Sequence, residues 1–411
     1  KLISTESQRQ EEEIKSLKDR SYAEIAFIIL SKYLKDDIDL KELKKLADDA
    51  YDFKVPIEKV NEKDFIERLD QGPTASFKDF AARMMARLMQ YYIEKESKNL
   101  VILVATSGDT GGAVANAFYG MDNIDVVILM PKDEISDRQR KQMTTLGKNI
   151  HPIVLDAKFD DCQALVKEAF MDKDLKHINL SSANSINIGR LLPQSVYYFY
   201  GYSKVANDDK VVFAVPSGNF GNLMGGLLAK KMGLPIHRFI VSVNENDEVP
   251  IFFETEHYKP IKPSRKCLSN AMNVGHPSNL ARLVALYDGQ MDETGKIKKM
   301  PDMKKIHEDL FAVSVNDTDT IRGIKDASKQ RIILEPHGAV GWMALKKFKD
   351  YDKSILLETA HPSKFPEELS KLSINPKLAR SLEGLDDKQE EYTEMDDDYQ
   401  KLKKILLSKF K

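Results

Sequence analysis

The sequence predicts an α/β protein with two lobes, in which parallel strands are flanked by helices, and with a helical segment at the N-terminus. From residue 99 onward, short apolar runs alternate with helical stretches, and most runs are rich in β-branched residues. Runs of this kind between polar or Gly/Pro turns are typical of buried parallel strands. Two such series occur, one ending near residue 180 and one beginning near residue 211, which indicates two lobes.

Each predicted strand corresponds to one apolar run. The runs are Leu100–Ala105, Ile124–Met130, Ile153–Leu155, Val211–Val215, Phe239–Val243, Ile332–Leu334 and Ile355–Leu357. The stretch from 290 to 330 is polar and rich in Lys and Asp, so we expect a surface insertion there.

Both ends of the chain carry helical patterns. Ser21 and Glu24 have the spacing of a capping box, and apolar residues at helical spacing follow them. Tyr399 and Phe410 bound an amphipathic pattern in the tail. The division that we expect is an N-terminal helical segment (1–60), a smaller α/β lobe (96–190) and a larger α/β lobe (61–95 and 191–411).

Composition limits the classes of partner. The 411 residues include 62 basic and 64 acidic side chains, a balance that gives no general attraction to nucleic acid or to anionic membranes. No apolar run reaches the roughly 18 residues of a membrane span, and the first residues lack the apolar core of a signal peptide. Two cysteines make no disulfide framework. We expect a cytoplasmic protein without membrane or nucleic-acid partners.

Two Gly-rich loops follow predicted strands and precede predicted helices. The first is Thr106–Gly112 and the second is Pro216–Asn222. Glycine lets a backbone approach a ligand closely, and the free N–H groups at a helix start favour an anion. Either loop alone could be a tight βα turn. Because both carry Ser, Thr or Asn side chains, we interpret them as two anion-binding loops.

Lys78 lies where a third helix is predicted to begin. Gly72 and Pro73 indicate a turn, and Thr74 or Ser76 could cap the helix that follows. A helix N-terminus disfavours the ammonium form of a lysine, and a neutral amine is what a Schiff base requires. The alternative is an ordinary solvated lysine.

Several common site motifs are absent from the sequence. Neither loop completes G-x-G-x-x-G, and no G-x-x-x-x-G-K followed by Ser or Thr occurs. H-E-x-x-H, a paired-cysteine metal motif and the G-x-S-x-G elbow are also missing. We therefore expect no metal centre.

The three segments together resemble the threonine synthases. Gly72–Phe80 resembles their cofactor-lysine motif HGPT-x-[AS]-FKD, Thr106–Gly111 matches TSGDTG, and Pro216–Asn222 matches PSGNFG followed by Asp or Asn. Further motifs occur in the same order as in that family. They are Ser182–Leu191, Leu268–Met272, Glu335–His337 and Thr359–Phe365. The resemblance extends over nearly the whole chain from about residue 20 to 380.

The resemblance implies pyridoxal phosphate (PLP) as cofactor and a type II PLP fold, with PLP in the larger lobe. Lys78 would carry PLP, and Thr359 would bond the pyridine nitrogen. The backbone of the second loop would hold the PLP phosphate, through Gly218, Asn219, Phe220, Gly221 and Asn222. The substrate carboxylate would bind in the smaller lobe, at Ser107, Asp109 and Thr110.

A second anion site would be needed for a substrate phosphate. The candidates are Asn184, Asn187 and Arg190, since Arg is well suited to phosphate. The alternatives are that Arg190 is a surface helix residue and that the asparagines are helix caps.

The implied activity is conversion of O-phospho-L-homoserine and water to L-threonine and phosphate, by a monomer or a homodimer. Phospho-lyases and a cysteate synthase of the same fold are alternatives, as is a non-catalytic PLP-binding relative. Two departures from the family pattern stand out. Gln71 replaces the usual His, and the Gly-rich DGGL stretch of the family's N-terminal part is not found. We expect a missing first segment or divergence at that end.

Overall fold

The structure of the chain divides into two compact units. The computed structural model describes residues 6–184 and 187–410, with side chains described from residue 11 onward. The first unit comprises the described parts of 1–70, 191–362 and 366–376. The second unit comprises the described parts of 71–190, 363–365 and 377–411.

The strands and helices are numbered in chain order. The strands are β1 (Ile57–Lys59), β2 (Asp64–Arg68), β3 (Leu100–Ala105), β4 (Ile124–Pro131), β5 (Ile150–Leu155), β6 (Leu180–Ser181), β7 (Val211–Pro216), β8 (Arg238–Val243), β9 (Gln290–Met291), β10 (Ile297–Lys299), β11 (Leu310–Ser314), β12 (Lys353–Glu358) and β13 (Thr393–Met395). The helices are α1 (Glu6–Lys15), α2 (Tyr22–Leu34), α3 (Leu40–Ala50), α4 (Lys78–Glu96), α5 (Asp109–Phe118), α6 (Asp137–Thr144), α7 (Phe159–Met171), α8 (Ile188–Leu191), α9 (Ser195–Val205), α10 (Gly221–Lys231), α11 (Glu248–Thr255), α12 (Leu280–Leu286), α13 (Met303–Asp309), α14 (Asp317–Lys329), α15 (Pro336–Leu345), α16 (Pro366–Ser370) and α17 (Tyr399–Lys409).

The first unit is built on a six-stranded sheet. Its order is β1-β2-β12-β7-β8-β11, and all neighbours are parallel except β1 and β2. Ile66, Ala214 and Leu356 pack with α15 in one hydrophobic cluster. Tyr198 of α9 packs edge-on against Phe213 of β7, with ring centroids 5.0 Å apart. The sheet therefore has helices over β7, as buried parallel strands require.

The second unit is built on a parallel five-stranded sheet of order β13-β5-β4-β3-β6. Alternate residues of its strands belong to two hydrophobic clusters. Ile102 and Val126 pack with residues of α4 and α5, whereas Leu103 and Val127 pack with residues of α7 and α17. Because strand side chains alternate between faces, both faces of this sheet are covered by helices. The predicted α/β class with helix-flanked parallel sheets is confirmed.

Most predicted strands are present. The strand predicted at Ile332–Leu334 is wrong, and the stretch from 290 to 330 differs from the predicted surface insertion. Ile332–Leu334 is buried or half-buried chain with no strand pairing in the described structure, and it leads directly into α15. The stretch from 290 to 330 is not merely a surface insertion. Leu310–Ser314 pairs with Phe239–Val243 at the sheet edge, and the following helix α14 packs on α15.

The expected lobe boundaries differ from the observed units in four places, one of which is 363–365, a short piece that belongs to the second unit. Residues 71–95, with α4, belong to the second unit, because α4 packs on α5. The tail from 377 also belongs to it, since β13 pairs with β5 and α17 packs on α7. The N-terminal helices belong to the first unit, where α2 packs on α9.

The helices predicted at the two ends of the chain are confirmed. The side chain of Ser21 accepts from the backbone N–H of Glu24, whose carboxylate accepts in return from Ser21, so the capping box is present. The amphipathic tail is α17, with Leu402 and Leu406 buried. Across the described residues, no helix is both long enough and apolar enough to span a membrane.

Candidate active site

Lys78 is the first residue of α4, as predicted, and it is half-buried. The predicted side-chain cap is wrong, because the N-cap residue is Phe77 and no side chain caps the helix. Thr74 instead bonds to Asp79, in the first turn of the helix. Its backbone N–H and hydroxyl donate to the two carboxylate oxygens of Asp79, at 2.9 and 2.5 Å. Burial raises the pKa of Asp79. These bonds fix the turn that presents Lys78.

The Thr106–Gly111 loop is held from inside by one hydroxyl. The Oγ1 atom of Thr106 accepts from the backbone N–H of Gly108 at 3.0 Å and of Gly111 at 2.8 Å. Gly108 has φ +128°, a conformation that side chains rarely adopt, and helix α5 begins after it without a side-chain cap. Ser107 and Thr110 are half-buried. The loop thus keeps a fixed shape at the start of a helix.

A buried ion pair joins this loop to the turn that carries Lys78. The ammonium of Lys364 lies 2.6 Å from Oδ1 of Asp109 and donates to the carbonyl oxygen of Thr74 at 3.0 Å. Gln139 donates to the same carboxylate oxygen at 3.0 Å. Burial by itself would raise the pKa of Asp109. The charges of Lys364 and Lys78 outweigh this effect and hold that pKa well below its usual range. Asp109 is therefore a carboxylate committed to neighbours within the protein.

Asn184, Asn187 and Arg190 follow the carboxyl end of β6, at the same end of the sheet as the Thr106–Gly111 loop. Strand β6 is parallel to β3, and the side-chain amide of Asn184 donates to Ala105 at 3.3 Å. Asn187 accepts from the backbone N–H of Gly189 at 2.9 Å, as a helix cap does. Arg190 is buried and donates to Ala183 at 2.9 Å. It is therefore not the surface residue of the alternative interpretation.

The second loop, Pro216–Asn222, joins β7 to α10 in the first unit. Phe220 has φ +61° and is the N-cap of α10, where no side chain caps the first turn. A non-glycine residue in this conformation is uncommon and costs free energy, so the surrounding structure must hold it there. A Cβ added to Gly218 would lie 2.9 Å from the carbonyl oxygen of Ala271. Only glycine therefore fits there without a shift.

Side chains of this loop anchor it to its surroundings. Oδ1 of Asn219 accepts from the backbone N–H of Ser278 at 2.6 Å. Oδ1 of Asn222 accepts from the hydroxyls of Tyr197 at 2.6 Å and Tyr198 at 2.8 Å. These bonds hold the loop in place, and the backbone N–H groups at the start of α10 are donors that it can offer to an anion.

Thr359 lies at the same end of the sheet as this loop, where β7 and β12 have their carboxyl ends. It follows β12, which is parallel to β7, with Leu356 paired to Ala214. The carboxyl ends of both strands therefore lie at one edge. Thr359 is 5% exposed.

Three family models match the chain. A family of pyridoxal-phosphate dependent enzymes matches residues 54–357, the threonine synthase N terminus matches residues 4–51, and the threonine synthase C-terminal model matches residues 338–406. A threonine synthase from Haemophilus influenzae is 41% identical over 385 residues, which cover 92% of this chain and 87% of that protein.

The chain belongs to the threonine synthase family. Two solved threonine synthases share its fold. The one from Brucella melitensis, with PLP bound, has a TM-score of 0.89 and 31% identity, covering 96% of this chain and 90% of that one. The one from Escherichia coli has a TM-score of 0.87 and 37% identity, covering 97% of this chain and 90% of that one. The fold is therefore the type II PLP fold.

The described residues fit PLP, the cofactor of this family of PLP-dependent lyases. Gly218 leaves space that a Cβ would fill, and α10 offers first-turn N–H groups to a phosphate. The side-chain nitrogen of Asn222 is buried and has no hydrogen-bond partner among the described residues. Buried polar atoms usually have partners, so this nitrogen is suited to meeting a bound molecule.

Lys364 is the main residue of the site that sequence reasoning missed. It stands inside the Thr359–Phe365 motif, but no role followed from that motif, and its partner Asp109 is distant along the chain. Gln139, Tyr197 and Tyr198 were also missed. The signal that the sequence offered for Lys364 was its position among residues typical of a buried turn.

Proposed function

We propose that this chain converts O-phospho-L-homoserine and water to L-threonine and phosphate, with PLP carried on Lys78. Its family membership supports this, since the relatives match over most of both chains. The observation that carries the proposal is the placement of Lys78. It begins α4, and it lies close enough to the Thr106–Gly111 loop for its charge to lower the pKa of Asp109.

Lys78 binds the cofactor and then moves protons. When bound, PLP withdraws electrons from the α-carbon of the attached amino acid, as elimination at the γ-carbon and addition at the β-carbon require. Once released, the amine of Lys78 takes the α-proton, acts at the β-carbon and returns a proton to the α-carbon.

The Thr106–Gly111 loop binds the substrate carboxylate. Ser107 and Thr110 are half-buried and offer hydroxyl donors beside the first-turn N–H groups of α5. Asp109 contributes in a different way. Its own carboxylate would repel that of the substrate, but it is paired with Lys364, so it holds the loop without facing the ligand.

Arg190, with Asn184 and Asn187, supplies the site for the substrate phosphate. A guanidinium has five N–H donors, and Ala183 takes the bond from one nitrogen of Arg190. A planar guanidinium can bond two phosphate oxygens at once. The two asparagines hold the segment in shape through their bonds to Ala105 and Gly189.

The cofactor contacts in the first unit come from one sheet edge. The backbone of Gly218, Asn219, Phe220, Gly221 and Asn222 holds the phosphate of PLP. Thr359, at the end of β12, bonds the pyridine nitrogen. A hydroxyl partner leaves that nitrogen largely unprotonated, which suits elimination and replacement more than transamination.

The substrate is a small molecule, and we place the enzyme in the cytoplasm, as a monomer or a homodimer without a nucleic-acid partner. Cys162 and Cys267 are both buried free thiols, which agrees with a reducing compartment. The near-balanced charge of the chain agrees with a small-molecule partner.

Identifying the product from O-phospho-L-homoserine tests the proposal. We expect threonine and phosphate in equal amounts. Formation of 2-oxobutanoate would identify a phospho-lyase, and turnover only of phosphoserine with sulfite would identify a cysteate synthase. Lys78→Ala should release no phosphate, whereas Lys95→Ala, at the other end of α4, should keep the wild-type rate.

A further inference from the structure

A short helical turn lies directly against the loop that we assign to the PLP phosphate. This turn is a 3₁₀ segment, Asn270–Met272. A Cβ added to Gly218 would lie 2.9 Å from the carbonyl oxygen of Ala271 and 2.9 Å from Cα of Met272. Backbone therefore meets backbone at this contact. A shift of the turn by a few tenths of an ångström would change the position of the loop.

A buried histidine holds this 270–272 turn in place. Nε2 of His337 lies 3.1 Å from the backbone nitrogen of Ala271. A backbone N–H can only donate, so Nε2 is the acceptor and carries no proton. The other ring nitrogen, Nδ1, faces a carboxylate oxygen of Glu335 and donates to it. His337 is 3% exposed. Its contacts thus define one neutral tautomer, with the proton on Nδ1.

Glu335 is fixed in place by its own bonds. As N-cap of α15, its carboxylate accepts from the backbone N–H of His337 at 2.7 Å and of Gly338 at 2.9 Å. Its backbone N–H donates to Oε1 of Glu358 at 3.1 Å. Burial, followed by the charge of Glu335, raises the pKa of Glu358 well above its usual range. The bonds to His337 and Gly338 hold the carboxylate of Glu335 where it can accept from Nδ1 of His337.

These contacts form a continuous path through the first unit. It begins at Glu358, the last residue of β12, which directly precedes Thr359. It continues through Glu335 and His337 to Ala271, and it ends at the contact with Gly218. The path therefore connects the strand end that carries Thr359 with the loop assigned to the phosphate.

We propose that His337, as the neutral tautomer with the proton on Nδ1, is a positioning residue for PLP. It holds the 270–272 turn against Gly218 and so sets the backbone that binds the cofactor phosphate. His337 itself does not touch PLP. The inference rests on the proposed role of the Gly218–Asn222 loop. If His337 were only a packed core histidine, any side chain of similar volume would serve equally well.

Two amide substitutions separate the two ring nitrogens. In His337→Gln, the amide oxygen reaches the position of Nε2 and can accept from Ala271. In His337→Asn, the shorter side chain reaches only the position of Nδ1, so it can bond Glu335 but leaves the N–H of Ala271 without its acceptor. His337→Met has a similar volume and no strong acceptor, and it serves where the Asn variant does not fold.

The measurement is the rate of PLP release from the full-length holoenzyme into a PLP scavenger, with the ³¹P resonance of the bound phosphate as a second readout. We expect His337→Asn and His337→Met to release PLP at least about tenfold faster and to shift the resonance. His337→Gln should stay within about threefold of wild type with an unshifted resonance. Equal rates for the Gln and Asn variants, or an unchanged rate for the Met variant, would overturn the proposal.

A fourth variant separates this inference from the loop assignment on which it rests. Gly221→Asp places a negative charge in the loop itself and should release PLP fastest of all. Unchanged release in Gly221→Asp would refute the loop assignment. Faster release in Gly221→Asp together with wild-type release and resonance in His337→Asn would refute only the role of His337.

Discussion

The ammonium of Lys364 lies 2.6 Å from the carboxylate of Asp109, and both side chains are almost fully buried. This pair connects the Thr106–Gly111 loop to the turn before Lys78, because Lys364 also donates to Thr74. Removing one member of a buried pair leaves an uncompensated charge in the protein interior. The pair should therefore matter to stability more than its single contact suggests.

Lys364→Met should destabilise the protein by about 3–5 kcal/mol, because it leaves Asp109 buried without its cation. The double variant Lys364→Met with Asp109→Asn should lose less than the sum of the two single changes. Denaturant unfolding of the four proteins measures both quantities.

An exposed pair provides the matched control. Lys44 and Asp48 lie 2.7 Å apart, a similar distance, but about half of each side chain is exposed. Lys44→Met should cost less than about 1 kcal/mol, since solvent screens an exposed pair. Similar losses for Lys364→Met and Lys44→Met would contradict the account of the buried pair.

The covalent attachment of PLP provides a second prediction. Borohydride reduction of the holoenzyme followed by peptide mapping should place the cofactor on Lys78. Lys364 is the competing amine, but it is fully buried and bonded to Asp109 and to the carbonyl oxygen of Thr74, so it cannot reach the cofactor aldehyde without breaking those contacts. A labelled peptide that contains Lys364 instead would show that the two lysines have been assigned the wrong roles.

A buried carboxyl outside the motifs predicts a pH dependence of stability. Burial raises the pKa of Glu248, at the start of α11, to about 7, against an ordinary value of 4.5. A raised folded-state pKa means that the contribution of Glu248 is fully present below about pH 4.5 and is lost as the pH rises through 7. The wild type should lose at most about 3 kcal/mol from this group by pH 9.

Glu248→Gln mimics the protonated carboxyl, so it should remove that loss. The variant should be more stable than wild type at pH 9 and nearly equal to it at pH 4.5. Urea unfolding at both pH values tests this, with Glu254→Gln, an exposed residue of the same helix, as the control. A Glu248→Gln advantage that is the same at both pH values would argue against a titrating Glu248.

The fold could be predicted from sequence where apolar runs form buried strands, as in Leu100–Ala105, whose bounds match the structure. It could not be predicted where tertiary contacts satisfy polar side chains. Strand β2 was missed because it includes Asp64, Glu67 and Arg68. In the structure, Ser354 donates to Asp64 at 2.7 Å, and Glu67 is fully buried. Neither the distant partner of Asp64 nor the burial of Glu67 can be seen in the local pattern.

The candidate site also has a part that could be predicted from sequence and a part that could not. The start of α4 at Lys78 follows from the Gly-Pro turn and the apolar stripe after it. The cap does not, because Asp79 competes for the N–H and hydroxyl of Thr74. Lys364 could not be placed at all, since an ion pair between distant residues depends on the tertiary fold. Local patterns thus predict which loops form the site, and long-range contacts decide how those loops are held.

The most direct test of the account is turnover of O-phospho-L-homoserine in water enriched in ¹⁸O. If phosphate leaves from the γ-carbon and water adds at the β-carbon, the C–O bond of the substrate breaks. We expect one ¹⁸O atom in the hydroxyl of threonine and none in the released phosphate, measured by mass spectrometry. Phosphate carrying ¹⁸O, or an unlabelled threonine, would contradict the proposed reaction.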